Sequence, residues 1–209
     1  MSLRISPLLL MEEAFVEFFS EHKRIFLTLH LLGVSVGMGG ATITDLLFFN
    51  FLRDFKISHK EAHVMRILSN VIMTALGILY LSGIALFQSD PQAFMQSSAF
   101  LSKAFILVIL TINGIIMHKF IAPHMVEFSF LRRSSHAHRA MHKMRAIAFA
   151  MGAVSFTSWY SIFFIAMLKS YLPSSFTLLP IIGSYVFILL SAVLVSQVLH
   201  RHIHKKSRT

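Results

Sequence analysis

The 209-residue chain is 56% apolar and 13% charged, carries a formal net charge of +10 and has a mean hydropathy of +0.70, a balance outside the range of soluble domains. Its apolar stretches are continuous rather than alternating, which excludes a β-barrel and leaves an all-α, polytopic membrane bundle. With no cysteine in the chain, disulfides, thiolate metal sites, thiol nucleophiles and iron–sulfur clusters drop out together, and histidine has to carry any metal chemistry.

In chain order, residues 1–24 come first. No basic region followed by an apolar core and a small-residue cleavage site is evident, so the first span is expected to act as its own insertion signal. Within "SPLLLMEEAFVEFFSE", Ser6 is a candidate N-cap, Pro7 takes the first helical position, and Glu13, Glu17 and Glu21 recur every four residues. This pattern predicts an amphipathic helix with an acidic face, lying on the membrane surface or against a partner subunit.

Five predicted spans follow within residues 25–199, at 25–50, 64–87, 102–122, 145–168 and 177–199. Each meets the ~20 apolar residues that cross a ~30 Å hydrocarbon layer. A basic tail, 200–209, completes the chain. Fourteen positive charges fall on one side: Arg53, Lys56, Lys60 and Arg66 near the first connection, six between Lys119 and Arg145, and four from Arg201 to Arg208. Five fall on the other: Arg4, Lys23, Arg24, Lys103 and Lys169. The positive-inside rule then places the N-terminus outside and the C-terminus in the cytoplasm. The same rule accounts for the basic balance without nucleic acid, which is not an expected partner.

Span 1 contains "LHLLGVSVGMGG". At ~100° per residue, Gly33, Gly37, Gly40 and Thr44 fall within ~80° of His30, forming one stripe of small or polar residues. Either a neighbouring helix packs on this stripe with His30 hydrogen-bonded across the interface, or a flat cofactor lies over the glycines with His30 as its ligand. Asp45, nearer the inner end, is expected either to pair with a basic residue or to form a proton-relay or cation site with His118.

Span 3 opens on Lys103, carries Asn113 near mid-membrane and ends on His118. Lys103 either snorkels to the headgroups or faces a pocket. The Asn113 amide needs a partner, because an unsatisfied amide in hydrocarbon is costly. Span 4 sets Ala148, Gly152, Ser155 and Trp159 along one stripe, which suits tight helix packing or the wall of a ring-shaped pocket. Span 5 has few polar groups and is expected at the periphery. The remaining histidines cluster in "SHKEAH", "SSHAHRAMH" and "HRHIH", as solvated basic segments or divalent-metal chelates.

Across residues 25–122, "LHLLGVSVGMGG" and the later "KAFILVILTINGIIMH" resemble the small bacterial haem-associated protoporphyrinogen oxidases and the related copper-resistance D-like membrane proteins. The resemblance implies b-type haem on His30, with Lys103 beside the same outer pocket, and electron transfer to or from quinone or a porphyrin-like substrate. It also implies a bacterial inner-membrane location and membrane oxidoreductase chemistry. The residues expected around such a group are His30, Gly33, Gly37, Gly40, Lys103, Asn113, His118 and Trp159, with His30 and His118 as candidate metal ligands. The fifth span, the acidic helix and "GAVSFTSWYSIFF" have no counterpart in it. Two other classes stay open on the residues alone: a proton or metal-cation transporter using His30, Asp45, Asn113 and His118, and a non-catalytic subunit or assembly factor joined through its glycine faces or as a homo-oligomer. No Walker A, G-x-S-x-G, H-E-x-x-H or dinucleotide fingerprint occurs.

Overall fold

The computed structural model describes residues 7–54, 59–121, 135–169, 171 and 177–206, with side chains for 14–48, 60–121, 144, 146–169, 171 and 177–202. The described residues build helices and short connections, without a strand among them: α1 (Pro7–Glu21), α2 (Lys23–Asp54), α3 (His59–Gln88), α4 (Pro91–Met95), α5 (Ser98–Ile116), α6 (Ser135–Leu168) and α7 (Leu178–Lys206). A single π-helical turn, Met117–Ile121, extends α5.

Five of these helices contain segments long and apolar enough to cross a membrane: Lys23–Phe48, Lys60–Gln88, Ser98–Ile121, Ala146–Leu168 and Leu178–His202. They coincide with the five predicted spans to within a few residues. Leu81, Leu179 and Phe187 are each more than 70% exposed. In water such a surface would drive association, whereas hydrocarbon tails cover it without cost.

The most extensive helix pairing is α2 with α3; α6 packs on α7, α5 and α2. Between α3 and α5 the link is made by side chains, with Tyr80 Oη donating to Thr111 Oγ1 at 2.9 Å. The direction follows because the Thr111 hydrogen goes to the Leu107 carbonyl at 2.7 Å. Thus α2, α3, α5 and α6 surround a common interior and α7 lies against α6 and, less extensively, α5. This agrees with the peripheral position expected of span 5. Two polar groups of α7 nevertheless face α6: Tyr185 and Ser158 share a hydrogen bond of 2.9 Å, and Gln197 Nε2 donates to the Ala146 carbonyl at 2.8 Å.

Two apolar clusters fill the interior. One joins Ala41, Leu76, Leu79, Leu110 and Trp159; the other joins Phe48, Met65, Ile121, Ala148 and Phe149. They divide the bundle into a first end, where α1 meets α2 and α3 turns to α5, and a second end, where α2 and α7 finish. The turn at the first end contains α4, a one-turn helix that the apolar pattern does not reveal. Its local signal is Asp90–Pro91: Pro91 starts the helix and the Asp90 carboxylate accepts from the Ala93 N–H at 3.1 Å.

Candidate functional site

The glycine stripe of α2 is covered by protein. A Cβ on Gly33 would stand 3.1 Å from Leu79 Cγ and 3.3 Å from the Ala75 carbonyl, and one on Gly40 would stand 3.2 Å from Ile72 Cγ1, so both glycines let α3 approach closely. A Cβ on Gly37 would enter the indole ring of Trp159, which is 2% exposed. Of the two occupants considered for this stripe, the neighbouring helices occupy it.

His30 lies at the edge of the packed stripe and reaches α3. Its Nδ1 is 3.1 Å from Ser82 Oγ, and Ser82 Oγ is 2.6 Å from the Ile78 carbonyl. A hydroxyl has one hydrogen to donate, and in Ser82 that hydrogen goes to the carbonyl. The contact with His30 is therefore an Nδ1–H donating to Ser82. In the neutral ring this leaves Nε2 as a bare lone pair, the form in which imidazole binds a metal.

Beside His30 opens a cavity of about 400 Å³ at the first end, between α2, α3, α5 and α6. Its volume falls in the ~300–1,000 Å³ range of small-molecule sites. Lys103 and Trp159 line it together with His30, so three residues from three separate helices converge on one space. The walls are otherwise apolar or aromatic, including Tyr80, Phe87 and Phe100. Phe87 and Phe100 stack at 5.8 Å, with Phe94 of α4 edge-on to Phe100 at 5.0 Å. Gly83 also lines the cavity beside the imidazole, where a Cβ would make ordinary contact with His30 Cε1 at 3.6 Å. Lys103 lies within electrostatic reach of both His30 and Lys169, and among the described residues no carboxylate lines the cavity. Such a site suits a flat apolar ligand with an anionic edge.

The other residues singled out in the sequence lie elsewhere. Asn113 donates through Nδ2 to the Met151 carbonyl at 3.2 Å, so its partner is α6. His118 sits in the π-helical turn, and its Nδ1 shares a 2.7 Å hydrogen bond with Ser69 Oγ of α3. It follows Lys103 by fifteen residues, ~22 Å along a helix, so His30 and His118 cannot ligate one metal ion. Nor are Asp45 and His118 joined: Asp45 faces α6, and its Oδ2 is buried without a hydrogen-bond partner. The expected pairing of Asp45 with a basic side chain is likewise absent among the described residues. No group of three metal-binding side chains occurs among them either. The side chains of His59, His136, His138, His142 and His204 lie outside the described set.

Gly83, Tyr80, Phe87 and Phe100 are site residues that sequence reasoning did not single out. Inside a uniformly apolar span they carry no contrast with their neighbours, and only the approach of α3 and α5 to His30 identifies them.

Comparison with family models, with curated proteins and with solved structures gives no match for this chain. A b-type haem asks for at least one imidazole nitrogen held in acceptor form, an apolar slot for the macrocycle and a positive group for its carboxylates. His30, the aromatic walls and Lys103 fit those demands.

Proposed function

We propose that this is an integral membrane redox protein that holds b-type haem through His30 in the first-end cavity and passes electrons to or from a lipid-soluble quinone or a porphyrin-like substrate. The observation that carries the reading is the acceptor-form Nε2 of His30, fixed by Ser82 beside a cavity that also contains the Lys103 ammonium. When bound, haem iron would supply reversible one-electron chemistry. The protein's part is to position and insulate. His30 would hold the iron through Nε2, with its tautomer fixed by Ser82; Lys103 would offer charge to a carboxylate, and Phe87, Phe100 and Trp159 would keep water from the slot.

The distribution of loop charges supports placing the first end outside and the second end in the cytoplasm, as in a bacterial inner membrane. In that orientation α1, whose Glu17 and Glu21 are exposed, lies at the outer surface as an amphipathic interfacial helix or docks a partner subunit.

The test is the absorption spectrum of protein purified after expression with ample haem, oxidised and then reduced with dithionite. A Soret band present in the wild type and lost in His30→Ala supports the reading. Colourless wild-type protein, or pigment unaffected by His30→Ala, overturns it.

A further inference from the structure

At the second end a separate cleft of about 310 Å³ opens between α2, α6 and α7. Asp45 of α2 lies in its wall. The carboxyl rests against the bare backbone of Gly152 on α6, with Oδ1 3.5 Å from where a Cβ would be. Its other oxygen is buried and has no hydrogen-bond partner.

We propose that Asp45 is a reversible proton-binding site, loaded and unloaded through this cleft. A carboxylate in hydrocarbon with neither an ion pair nor a full set of hydrogen bonds is the costly form of the group, and taking up a proton removes the charge. Phe48, Phe149 and Phe156 make the surroundings apolar, while Thr157 and Ser196 are the hydroxyl-bearing walls among the described residues. Ser196 spends its hydrogen on the Val193 carbonyl at 2.7 Å. One carboxyl and two hydroxyls fall short of the six or more oxygens that a hard divalent cation collects, so the ligand is a proton rather than a metal ion.

Among the described residues, the α6 and α7 walls of the cleft carry no second ionisable side chain. The next titratable group along α7 is His200, 5% exposed, whose ring lies 5.4 Å from that of the wall residue Phe149. Arg201 and His202 beyond it are exposed, so His200 stands between the cleft and the aqueous boundary. On the α5 side, His118 is engaged with Ser69.

Carbodiimides read the proton directly. The acid O–H adds across one C=N bond, hydrogen to nitrogen and oxygen to carbon; the acyl group then migrates to nitrogen as a stable acylurea, so the whole reagent mass is retained and nothing leaves. The purified full-length protein in lipid nanodiscs is treated with dicyclohexylcarbodiimide or with a water-soluble carbodiimide, and all nine carboxyl residues are mapped by peptide mass spectrometry. Asp45 is expected to take the lipid-soluble reagent at least tenfold faster than the water-soluble one, at a rate that falls as pH rises. Asp45→Asn should abolish that adduct and also remove an infrared carbonyl band of a neutral acid. Absence of labelling at Asp45, equal labelling by both reagents, or a rate independent of pH overturns the proposal. The wild-type map decides the matter even where the variant folds poorly. The cleft and the His30 cavity lie at opposite ends, so this result is independent of what the first-end cavity binds.

Discussion

His30 of α2 donates through Nδ1–H to the hydroxyl of Ser82 on α3, and that hydroxyl in turn donates to the Ile78 carbonyl. The relay fixes which ring nitrogen keeps its lone pair. Ser82→Ala removes the acceptor and frees the imidazole to rotate and change tautomer. Outer partners of this kind are worth about 10–100-fold in metal affinity. Haem titration followed by the Soret band should show a loss in that range, with helicity by circular dichroism unchanged.

Lys103 tests the anionic edge of the ligand. Lys103→Met keeps most of the aliphatic stem and removes the charge, costing about 1.5–3 kcal/mol, or roughly 10–100-fold in Kd, for a carboxylate-bearing ligand. A diester of the same porphyrin should bind the two proteins alike. Equal loss for acid and ester would show that Lys103 acts by packing alone.

Gly37 and Gly39 form a matched pair two residues apart. A Cβ on Gly37 would collide with the Trp159 ring, whereas one on Gly39 meets nothing within 4 Å. Gly37→Ala should cost about 1–3 kcal/mol through overpacking. Gly39→Ala should be neutral or gain up to ~1 kcal/mol from helix propensity. Thermal unfolding in detergent ranks them, and equal Tm values would contradict the close α2–α6 approach.

The Ser158–Tyr185 hydrogen bond is the buried polar clasp between α6 and α7. In a double-mutant cycle of Ser158→Ala and Tyr185→Phe, the coupling expected for a hydrogen bond between membrane helices is about 0.6 kcal/mol. Zero coupling would mean that this pair does not help to hold α7 on α6.

The spans were legible because uninterrupted apolarity has only one use at that length, and the His30 stripe was legible because glycine spacing survives in any helix. What lay against the stripe was not. Gly33 and Gly37 suit a flat ligand or a neighbouring side chain equally well until Leu79 and Trp159 are placed. His30, Lys103 and Trp159 each stood out as polar or bulky residues within a span, yet their convergence depends on the pairing of helices, which apolar periodicity does not encode. Asp45 shows the same gap: its depth follows from counting, but the absence of a partner follows only from the position of Gly152.

Trp159 is the one tryptophan in the chain. One side of its indole is pressed by Gly37 and another forms part of the cavity wall. An occupant of that space that absorbs where indole emits, as a porphyrin does, drains its emission by energy transfer, and loosening of α2 from α6 lets its wavelength drift. Brightness therefore reports occupancy and colour reports packing, so the protein has a built-in optical gauge that reads both without a label.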